Sequence, residues 1–138
     1  MVAASYLEKK SEDLAKQGIA FESEVRLPSG LNISNPDLIC VLGNLLDNAQ
    51  EACQRTPEPT IILKAAYQKP YCSISCSNTA VEPGKGSAKR RIPELERGVG
   101  LTILRDVAKR YDGEFRTEWE NGWFKANMIL KDKESEIC

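Results

Sequence analysis

Residues 38–53 read Leu38-Ile-Cys-Val-Leu-Gly-Asn-Leu-Leu-Asp-Asn-Ala-Gln-Glu-Ala-Cys53, and this stretch decides the fold. Its apolar residues recur every three to four positions, which is the spacing of one face of an α-helix. They are Leu38, Leu42, Leu45, Leu46, Ala49 and Cys53. A second stripe on the same helix is polar and should look away from the core. It consists of Asn44, Asn48, Glu51 and Arg55.

The two asparagines are unusual in the middle of a helix. A solvated helix face is normally built from Lys, Glu or Arg, because Asn in a helix interior is less favourable than Ala by roughly 0.5–0.7 kcal/mol. Asn44 and Asn48, together with Gly43, therefore weaken this helix. The stripe is either a solvated face or a ligand site. Carboxamide oxygens are hard, neutral donors that suit Mg²⁺ holding phosphates, which favours the ligand site.

A second motif, Arg97-Gly-Val-Gly-Leu101, precedes another helical pattern. The apolar positions of that pattern are Leu101, Leu104, Ala108 and Tyr111, and it stops at Asp112-Gly113. Two glycines before a helix N-terminus let the backbone approach an anion, where free N–H groups and the helix dipole favour negative charge. Glycine pairs before helices also serve as simple turns. Their pairing with the asparagine helix points to a nucleotide-phosphate site.

Outside these two motifs, the periodicity of apolar residues predicts one further helix and five strands. The helix covers residues 3–17 and closes at Gly18, and a strand follows at 19–25. Two hairpins are predicted, from 60–67 with 71–78 and from 115–119 with 124–130 around Asn121-Gly122. Ser34 or Asn35 caps the asparagine helix. This order predicts an α+β fold, a two-layer sandwich whose mostly antiparallel mixed sheet is covered by helices on one face.

Residues 79–97 form the one long segment without periodicity. A segment of this length is usually a lid, a binding loop or an insertion. Its position just before Gly98 predicts a lid over phosphates. Residues 132–138 read as a tail, so residues 1–138 form a single domain.

The composition excludes several classes of function. With 138 residues, 41% hydrophobic and 28% charged, the chain suits one soluble globular domain. A net charge of −1, from 19 Lys and Arg against 20 Asp and Glu, gives no basic field for nucleic acid. No apolar run approaches the ~20 residues of a membrane-spanning helix. We therefore expect no nucleic-acid binding and no direct membrane contact by this chain.

Cysteine and histidine usage limits the chemistry further. The five cysteines are Cys40, Cys53, Cys72, Cys76 and Cys138, and there is no histidine. An odd number of thiols on helix and strand positions does not predict a disulfide framework. Without histidine or a Cys-x-x-Cys motif, the thiols read as small buried hydrophobes in a reducing compartment and not as a zinc site. Catalysis by Ser-His-Asp or Cys-His within the chain is excluded.

Three motifs together resemble a known family. They are Asn44-Leu-Leu-Asp-Asn48-Ala-x-Glu-Ala52, Ser77-Asn-Thr79 and Arg97-Gly-Val-Gly-Leu101. Over residues 3–131 the chain resembles the ATP-binding domain of GHKL, or Bergerat-fold, proteins, and among these it most resembles sensor histidine kinases. The asparagine helix, the Asn-Thr pair in place of an acidic adenine motif, and the Lys109-Arg-Tyr-Asp-Gly-Glu114 ending are similar to the peptide quorum-sensing kinases of Gram-positive bacteria.

The resemblance implies roles for individual residues. Asn48 would bind Mg²⁺, and with Asn44 it would form the catalytic pair that holds the triphosphate. Glu51 and Arg55 would line the same face. Asn78, followed by Thr79, stands where the family usually has the Asp that binds the adenine amino group.

The resemblance also implies how the phosphates would be held. Gly98, Val99, Gly100 and Leu101 match the second glycine motif and would present backbone N–H groups, and Lys89 or Arg90 would supply a cation from the lid. The glycine-rich stretch that normally follows the adenine-binding Asp is absent, since Gly84 and Gly86 come later in the chain.

The implied function is transfer of the ATP γ-phosphoryl group to a histidine on a dimerisation domain outside this chain, with a response regulator downstream. The implied location is the cytoplasm, with the parent protein anchored in the bacterial membrane. Two alternatives stay open. One is a degenerate GHKL module that docks partners without turnover, and the other is a stand-alone GHKL ATPase. The ATPases of this superfamily place a water-activating Glu where Asn44 stands.

Overall fold

The computed structural model describes residues 2–81 and 99–132. Within these ranges three helices and five strands follow one another in the predicted order. They are α1 (Val2–Lys16), β1 (Ala20–Arg26), α2 (Asn35–Cys53), β2 (Thr60–Gln68), β3 (Tyr71–Thr79), α3 (Val99–Arg110), β4 (Glu114–Glu120) and β5 (Trp123–Lys131). None of the helices in these ranges combines the length and the apolar surface that crossing a bilayer requires.

The five strands in the described part of the chain form one sheet in the order β1-β2-β3-β5-β4. β1 runs parallel to β2 because α2 crosses over between them, and the other three pairings are antiparallel. Both predicted hairpins are present. Asn121 and Gly122 join β4 to β5 with φ values of 47° and 84°, as a two-residue type I′ turn requires. The predicted α+β fold is confirmed.

Side chains alternate along the central strand β3 between a buried and an open face. Cys72, Ile74 and Cys76 are at most 2% exposed, whereas Ser73 is exposed. The buried face lies under the helices, and the Cys76 thiol contacts the Leu45 carbonyl oxygen of α2 at 3.9 Å. The helices therefore form a second layer on one side of the sheet. The other side of the sheet has no helix against it in the described residues.

The buried cysteines behave as the sequence predicted. The four described thiols are free, and Cys53, Cys72 and Cys76 are buried. Burial raises the pKa of Cys76 to about 12, and burial followed by the nearby Asp132 carboxylate raises the pKa of Cys72 to about 11. These thiols are thus protonated at neutral pH and pack as small apolar groups. Cys138 lies outside the described residues.

α1 packs beside α2 through polar side chains. The Gln17 Oε1 atom accepts hydrogen bonds from Gln50 at 2.7 Å and from Gln54 at 3.0 Å. Lys10 Nζ lies 3.3 Å from an Asp47 carboxylate oxygen. At its end, α1 closes where the sequence predicted, because Gly18 takes the left-handed conformation with φ of 76°.

The first turn of α2 is tied to the last turn of α3. Ser34 is the N-cap of α2 and accepts a hydrogen bond from the Asp37 N–H at 3.2 Å. The Asp37 carboxylate in turn accepts from the Tyr111 hydroxyl at 2.5 Å and from Arg110 at 3.2 Å. The hydrogen bond from Tyr111 is the main reason why the pKa of Asp37 lies below its ordinary value. We call these residues, Ser34, Asp37, Arg110 and Tyr111, the helix clamp.

Replacing Tyr111 with phenylalanine should lower the free energy of unfolding at pH 7 by about 1–2 kcal/mol, because its hydroxyl donates to the Asp37 carboxylate and accepts a hydrogen bond from the Ser34 N–H. Since the pKa of Asp37 is lowered in the folded protein, this stabilisation is present above the unfolded pKa and disappears as the pH falls through the folded pKa. The difference between variant and wild type should therefore shrink below about pH 4. Urea unfolding at pH 7 and pH 3 measures it.

The control for this prediction is Tyr71→Phe. Tyr71 is 47% exposed on the open face of the sheet, so this variant should unfold like the wild type at both pH values. A stability difference for Tyr111→Phe that is the same at pH 3 and pH 7 would contradict the assignment of Asp37 as the partner.

α3 ends in a turn whose glycine has a packing role. Asp112 takes the left-handed position with φ of 55°, and the Gly113 N–H donates to the Ala108 carbonyl oxygen at 2.7 Å. A Cβ atom on Gly113 would overlap the Ile129 carbonyl oxygen of β5. The stop predicted at Asp112-Gly113 is confirmed, and close contact with β5 explains why glycine occupies the second position.

The predicted tail begins with a residue that belongs to the fold. Asp132 is 7% exposed, and its carboxylate accepts hydrogen bonds from the Asn32 N–H at 2.7 Å and the Tyr67 hydroxyl at 3.0 Å. The expectation that the tail starts at residue 132 is wrong for Asp132, because the loop before α2 provides it with a donor. Residues 133–138 lie outside the described residues.

Candidate functional site

Asn48 is buried, with 8% of its surface exposed. This corrects the expectation that the whole polar stripe of α2 looks away from the core. Glu51 and Arg55 are exposed as predicted, and Asn44 is half-buried. The reason is that α2 packs against both β3 and α3, so its buried arc is wider than its apolar stripe.

The Asn44 carboxamide is partly engaged within its own helix. Its Nδ2 atom donates to the Cys40 carbonyl oxygen at 2.8 Å and lies 3.5 Å from the Cys40 sulfur. The Oδ1 atom is left as an acceptor. A carboxamide has no basic atom that could take a proton from water, so Asn44 can position a ligand but cannot act as a general base.

Asn78 is the second-last residue of β3 and is 1% exposed. Because side chains alternate, it points to the helical side of the sheet, as Cys76 does. Its Nδ2 atom donates to the Thr79 carbonyl oxygen at 2.8 Å. Its Oδ1 atom has no hydrogen-bond partner among the residues that the structure describes.

The carboxamide of Asn48 also makes no hydrogen bond to another described residue. Burying polar groups without partners is costly. No side-chain nitrogen or oxygen in the described ranges is both sealed from solvent and unpaired, so the Asn48 carboxamide and the Asn78 oxygen reach the outside. Two largely buried residues thus offer hydrogen-bonding atoms to a ligand.

Asn48 and Asn78 lie at the same end of the molecule. The Leu45 carbonyl oxygen of α2 contacts Cys76 of β3, and further along both elements Thr56 contacts Thr79. Asn48 lies one helical turn beyond Leu45 in that direction. Asn78 lies two strand residues beyond Cys76 on the same face, a similar advance of about 5–7 Å.

The start of α3 lies near the level of Asn48. The helix clamp joins the beginning of α2 to the end of α3, and the two helices pack side by side, so they run in opposite directions. Leu101 precedes Tyr111 by about 15 Å of helix, and Asn48 follows Asp37 by about 16 Å. The N-terminal end of α3, where the helix dipole is positive, therefore faces the region of Asn48.

The structure places only part of the predicted phosphate site. Val99 and Gly100 already belong to α3, so the expectation that both glycines precede the helix is wrong for Gly100. Leu101 is buried at 7% exposure. Gly98, Lys89 and Arg90 lie outside the described residues, as do residues 82–97 of the predicted lid.

Thr79 was expected to bind the nucleotide, but its hydroxyl makes hydrogen bonds within the protein. Thr79 Oγ1 lies 2.9 Å from Thr56 Oγ1 and accepts a hydrogen bond from the Thr60 N–H at 3.1 Å. The sequence indicated the end of the helix at Thr56-Pro57-Glu58-Pro59 but gave Thr56 no role in the site. A threonine three residues beyond the last residue of a helix is a signal for a hydroxyl that binds the helix C-terminus, and this signal could have identified it.

The described part of the chain contains no cluster of three or more Cys, Asp and Glu side chains that could hold a metal. A metal near Asn48 would therefore need ligands of another kind, such as carboxamide oxygens and phosphates. A cavity of about 490 Å³, lined by Ile62, Ser77 and Trp123 among others, lies on the open side of the sheet. Because Asn48 and Asn78 point to the helical side, this cavity is separate from the candidate site.

Three solved structures that share this fold are a catalytic domain of a histidine kinase and two histidine kinases. The catalytic domain of histidine kinase ThkA has a TM-score of 0.69 at 21% identity, over 88% of this chain and 84% of that one. A histidine kinase from Burkholderia phymatum STM815 has a TM-score of 0.70 at 17% identity, over 94% of this chain and 67% of that one. At identities this low, the TM-scores show a shared fold and nothing more.

A third structure is histidine kinase AdeS of Acinetobacter baumannii, with a TM-score of 0.72 at 12% identity over 96% of this chain and 64% of that one. A comparison with curated proteins gave no match. A family model described as the GHKL domain matches residues 33–131. That segment is more than half of the chain and includes α2, β3 and α3, which carry the candidate site, and the chain therefore belongs to the GHKL domain family.

Proposed function

We propose that this chain is the ATP-binding catalytic domain of a sensor histidine kinase. The observation that carries the proposal is the pair of buried residues, Asn48 and Asn78, whose carboxamides reach the outside at the end of the molecule where α3 begins. Membership of the GHKL family supports it. So does the fold shared with the catalytic domain of histidine kinase ThkA.

The adenine end of the proposed site is at Asn78. Because its Nδ2 atom donates to the Thr79 carbonyl oxygen, the atom left for a ligand is Oδ1, which can only accept a hydrogen bond. The 6-amino group of adenine is a donor and matches it. The 6-oxo group of guanine is an acceptor and would face another acceptor in a buried place, which costs free energy.

The phosphate end of the proposed site is at Asn48. Its carboxamide oxygen is a hard, neutral ligand atom that fits Mg²⁺, and Asn44 offers its own Oδ1 one turn earlier. Mg²⁺, when bound there, would neutralise phosphate charge during transfer. The backbone of Gly98, Val99, Gly100 and Leu101 would bind phosphate oxygens. Lys89 or Arg90 would add a cation, with Glu51 and Arg55 on the exposed rim.

The phosphoryl acceptor in this proposal is outside the chain, because the chain contains no histidine. The γ-phosphoryl group would pass to a histidine on a dimerisation domain of the full-length kinase and from there to a response regulator. We further propose that the kinase belongs to the peptide quorum-sensing subgroup. This domain would then lie in the cytoplasm, and its parent protein in the bacterial membrane.

Two functions are alternatives to a kinase domain. A module that docks partners without turnover is favoured by Asn78 in place of an acid and by the absent glycine-rich stretch. A stand-alone ATPase is disfavoured, because Asn44 stands where a water-activating Glu is needed and its amide nitrogen is bonded to Cys40.

The experiment combines binding with transfer. ATP is titrated into the domain with and without Mg²⁺ by calorimetry, and γ-labelled ATP is then incubated with the domain and the histidine-bearing domain of the parent kinase. Metal-dependent binding with transfer of label supports the proposal. Binding without transfer indicates the docking module, steady phosphate release by the domain alone indicates the ATPase, and no binding at millimolar ATP refutes a nucleotide site.

A further inference from the structure

Three hydrogen bonds join the end of α2, the start of β2 and the end of β3. Thr56, three residues beyond the end of α2, donates its hydroxyl proton to the Cys53 carbonyl oxygen at 2.7 Å. The Thr56 and Thr79 hydroxyl oxygens are 2.9 Å apart. The Thr60 N–H donates to Thr79 Oγ1 at 3.1 Å. Apart from Cys53, these residues are half-buried.

Counting protons gives this chain of hydrogen bonds a direction. A threonine hydroxyl has a single proton to donate. Thr56 uses its proton on Cys53, so in the contact between the two hydroxyls Thr79 must be the donor. The series of hydrogen bonds therefore runs from the Thr60 N–H through Thr79 and Thr56 to the C-terminal end of α2. Successive hydrogen bonds of one direction polarise and strengthen one another.

This chain of hydrogen bonds reaches the candidate site through Thr79. The Thr79 carbonyl oxygen accepts the hydrogen bond from Asn78 Nδ2, and that bond decides which carboxamide atom of Asn78 is left for a ligand. We propose that Thr56 is a positioning residue, which acts through Thr79 to hold the Asn78 oxygen toward the 6-substituent of a purine. This inference rests on the proposed nucleotide site.

A purely structural role for Thr56 is the alternative. Its hydroxyl and its N–H both bind the Cys53 carbonyl oxygen, at 2.7 and 2.9 Å, so Thr56 also closes α2. A lost helix cap would disturb the whole site and weaken every nucleotide to a similar extent. A lost positioning contact would weaken only the nucleotide that uses the Asn78 oxygen.

Two probes separate these roles. ATP carries the 6-amino group, and purine riboside triphosphate is the same molecule with hydrogen in its place. Thr56→Val should weaken ATP binding about three- to tenfold, the usual effect of one neutral hydrogen bond, and change purine riboside triphosphate binding less than about twofold. Thr56→Ser keeps the hydroxyl and should bind both probes like the wild type. Equal losses for both probes with Thr56→Val would overturn the positioning role.

A measurement without nucleotide keeps this test separate from the proposed function. The side-chain NH₂ signals of Asn78 can be recorded by NMR and assigned by their loss in Asn78→Asp. They should shift in Thr56→Val and stay in place in Thr56→Ser. Unchanged signals in Thr56→Val would refute the inference even if ATP binds. A shift in a protein that binds no ATP would refute the nucleotide site but support the effect of Thr56 on Asn78.

Discussion

Asn48→Ala should weaken Mg²⁺-dependent ATP binding by roughly 10- to 150-fold, the effect of losing an interaction of 1.5–3 kcal/mol with a charged group. Asn48 is the proposed metal ligand, and alanine at this position has no side-chain oxygen that could bind the metal. Binding measured without Mg²⁺ should change much less than binding with it. Calorimetric titration of both proteins in the two conditions measures the difference.

The same substitution should leave the fold intact or slightly more stable. The Asn48 carboxamide has no hydrogen-bond partner among the described residues, so alanine leaves no protein group there unpaired. Alanine also favours the helix by roughly 0.5–0.7 kcal/mol over asparagine. A gain in stability together with a loss of binding is typical of a residue kept for function.

Asn127→Ala is the matched control for this prediction. Asn127 lies on β5, opposite Ser75 and Arg116 on the open face of the sheet. It should bind ATP like the wild type with and without Mg²⁺. If Asn48→Ala also bound ATP with unchanged affinity in Mg²⁺, Asn48 would not be a metal ligand.

Gly113→Ala should lower the free energy of unfolding by about 3 kcal/mol or more, which places it among the severe single substitutions. The added Cβ would overlap the Ile129 carbonyl oxygen and approach the Leu130 Cα atom of β5. Those atoms belong to a strand paired on both sides, so they cannot move away without breaking the sheet. We expect a fall in melting temperature of roughly 10 °C, measured by thermal unfolding followed by circular dichroism.

Gly43→Ala is the control for this steric argument. A Cβ at Gly43 would lie 3.4 Å from the Tyr6 hydroxyl oxygen, which is an ordinary contact. Because glycine in a helix interior is less favourable than alanine by roughly 0.8–1 kcal/mol, this variant should be more stable than the wild type. A small effect of Gly113→Ala, similar in size to that of Gly43→Ala, would show that β5 yields to the new methyl group.

The elements that sequence predicted best are those with a local cause. The Asn121-Gly122 turn and the alternation of Cys72, Ile74 and Cys76 need only neighbouring residues to be recognised, and both hairpins were placed within one or two residues. The stop at Gly18 has the same local origin, since glycine takes a left-handed conformation at little cost.

Two of the errors occur where distant segments meet. Asn48 was expected on a stripe that looks away from the core and is buried, because α3 and β3 both pack on α2. Asp132 was expected in a tail and is buried, because Asn32 and Tyr67 donate hydrogen bonds to it. The segments that bury Asn48 and Asp132 are far from them in sequence. No local pattern could therefore indicate these contacts.

The sequence by itself determined the two helix motifs, the hairpins and Asn48 as a candidate, because periodicity and residue chemistry are properties of short segments. Asn78 became a candidate only through the resemblance to the GHKL family. Only the tertiary structure decided that the Asn48 carboxamide and the Asn78 oxygen reach the outside, and that the Thr79 carbonyl oxygen accepts a hydrogen bond from Asn78. It also decided why residue 113 must be glycine. Apart from the hydrogen bond between neighbours, these facts depend on contacts between segments far apart in the chain, which form only when the helices pack on the sheet.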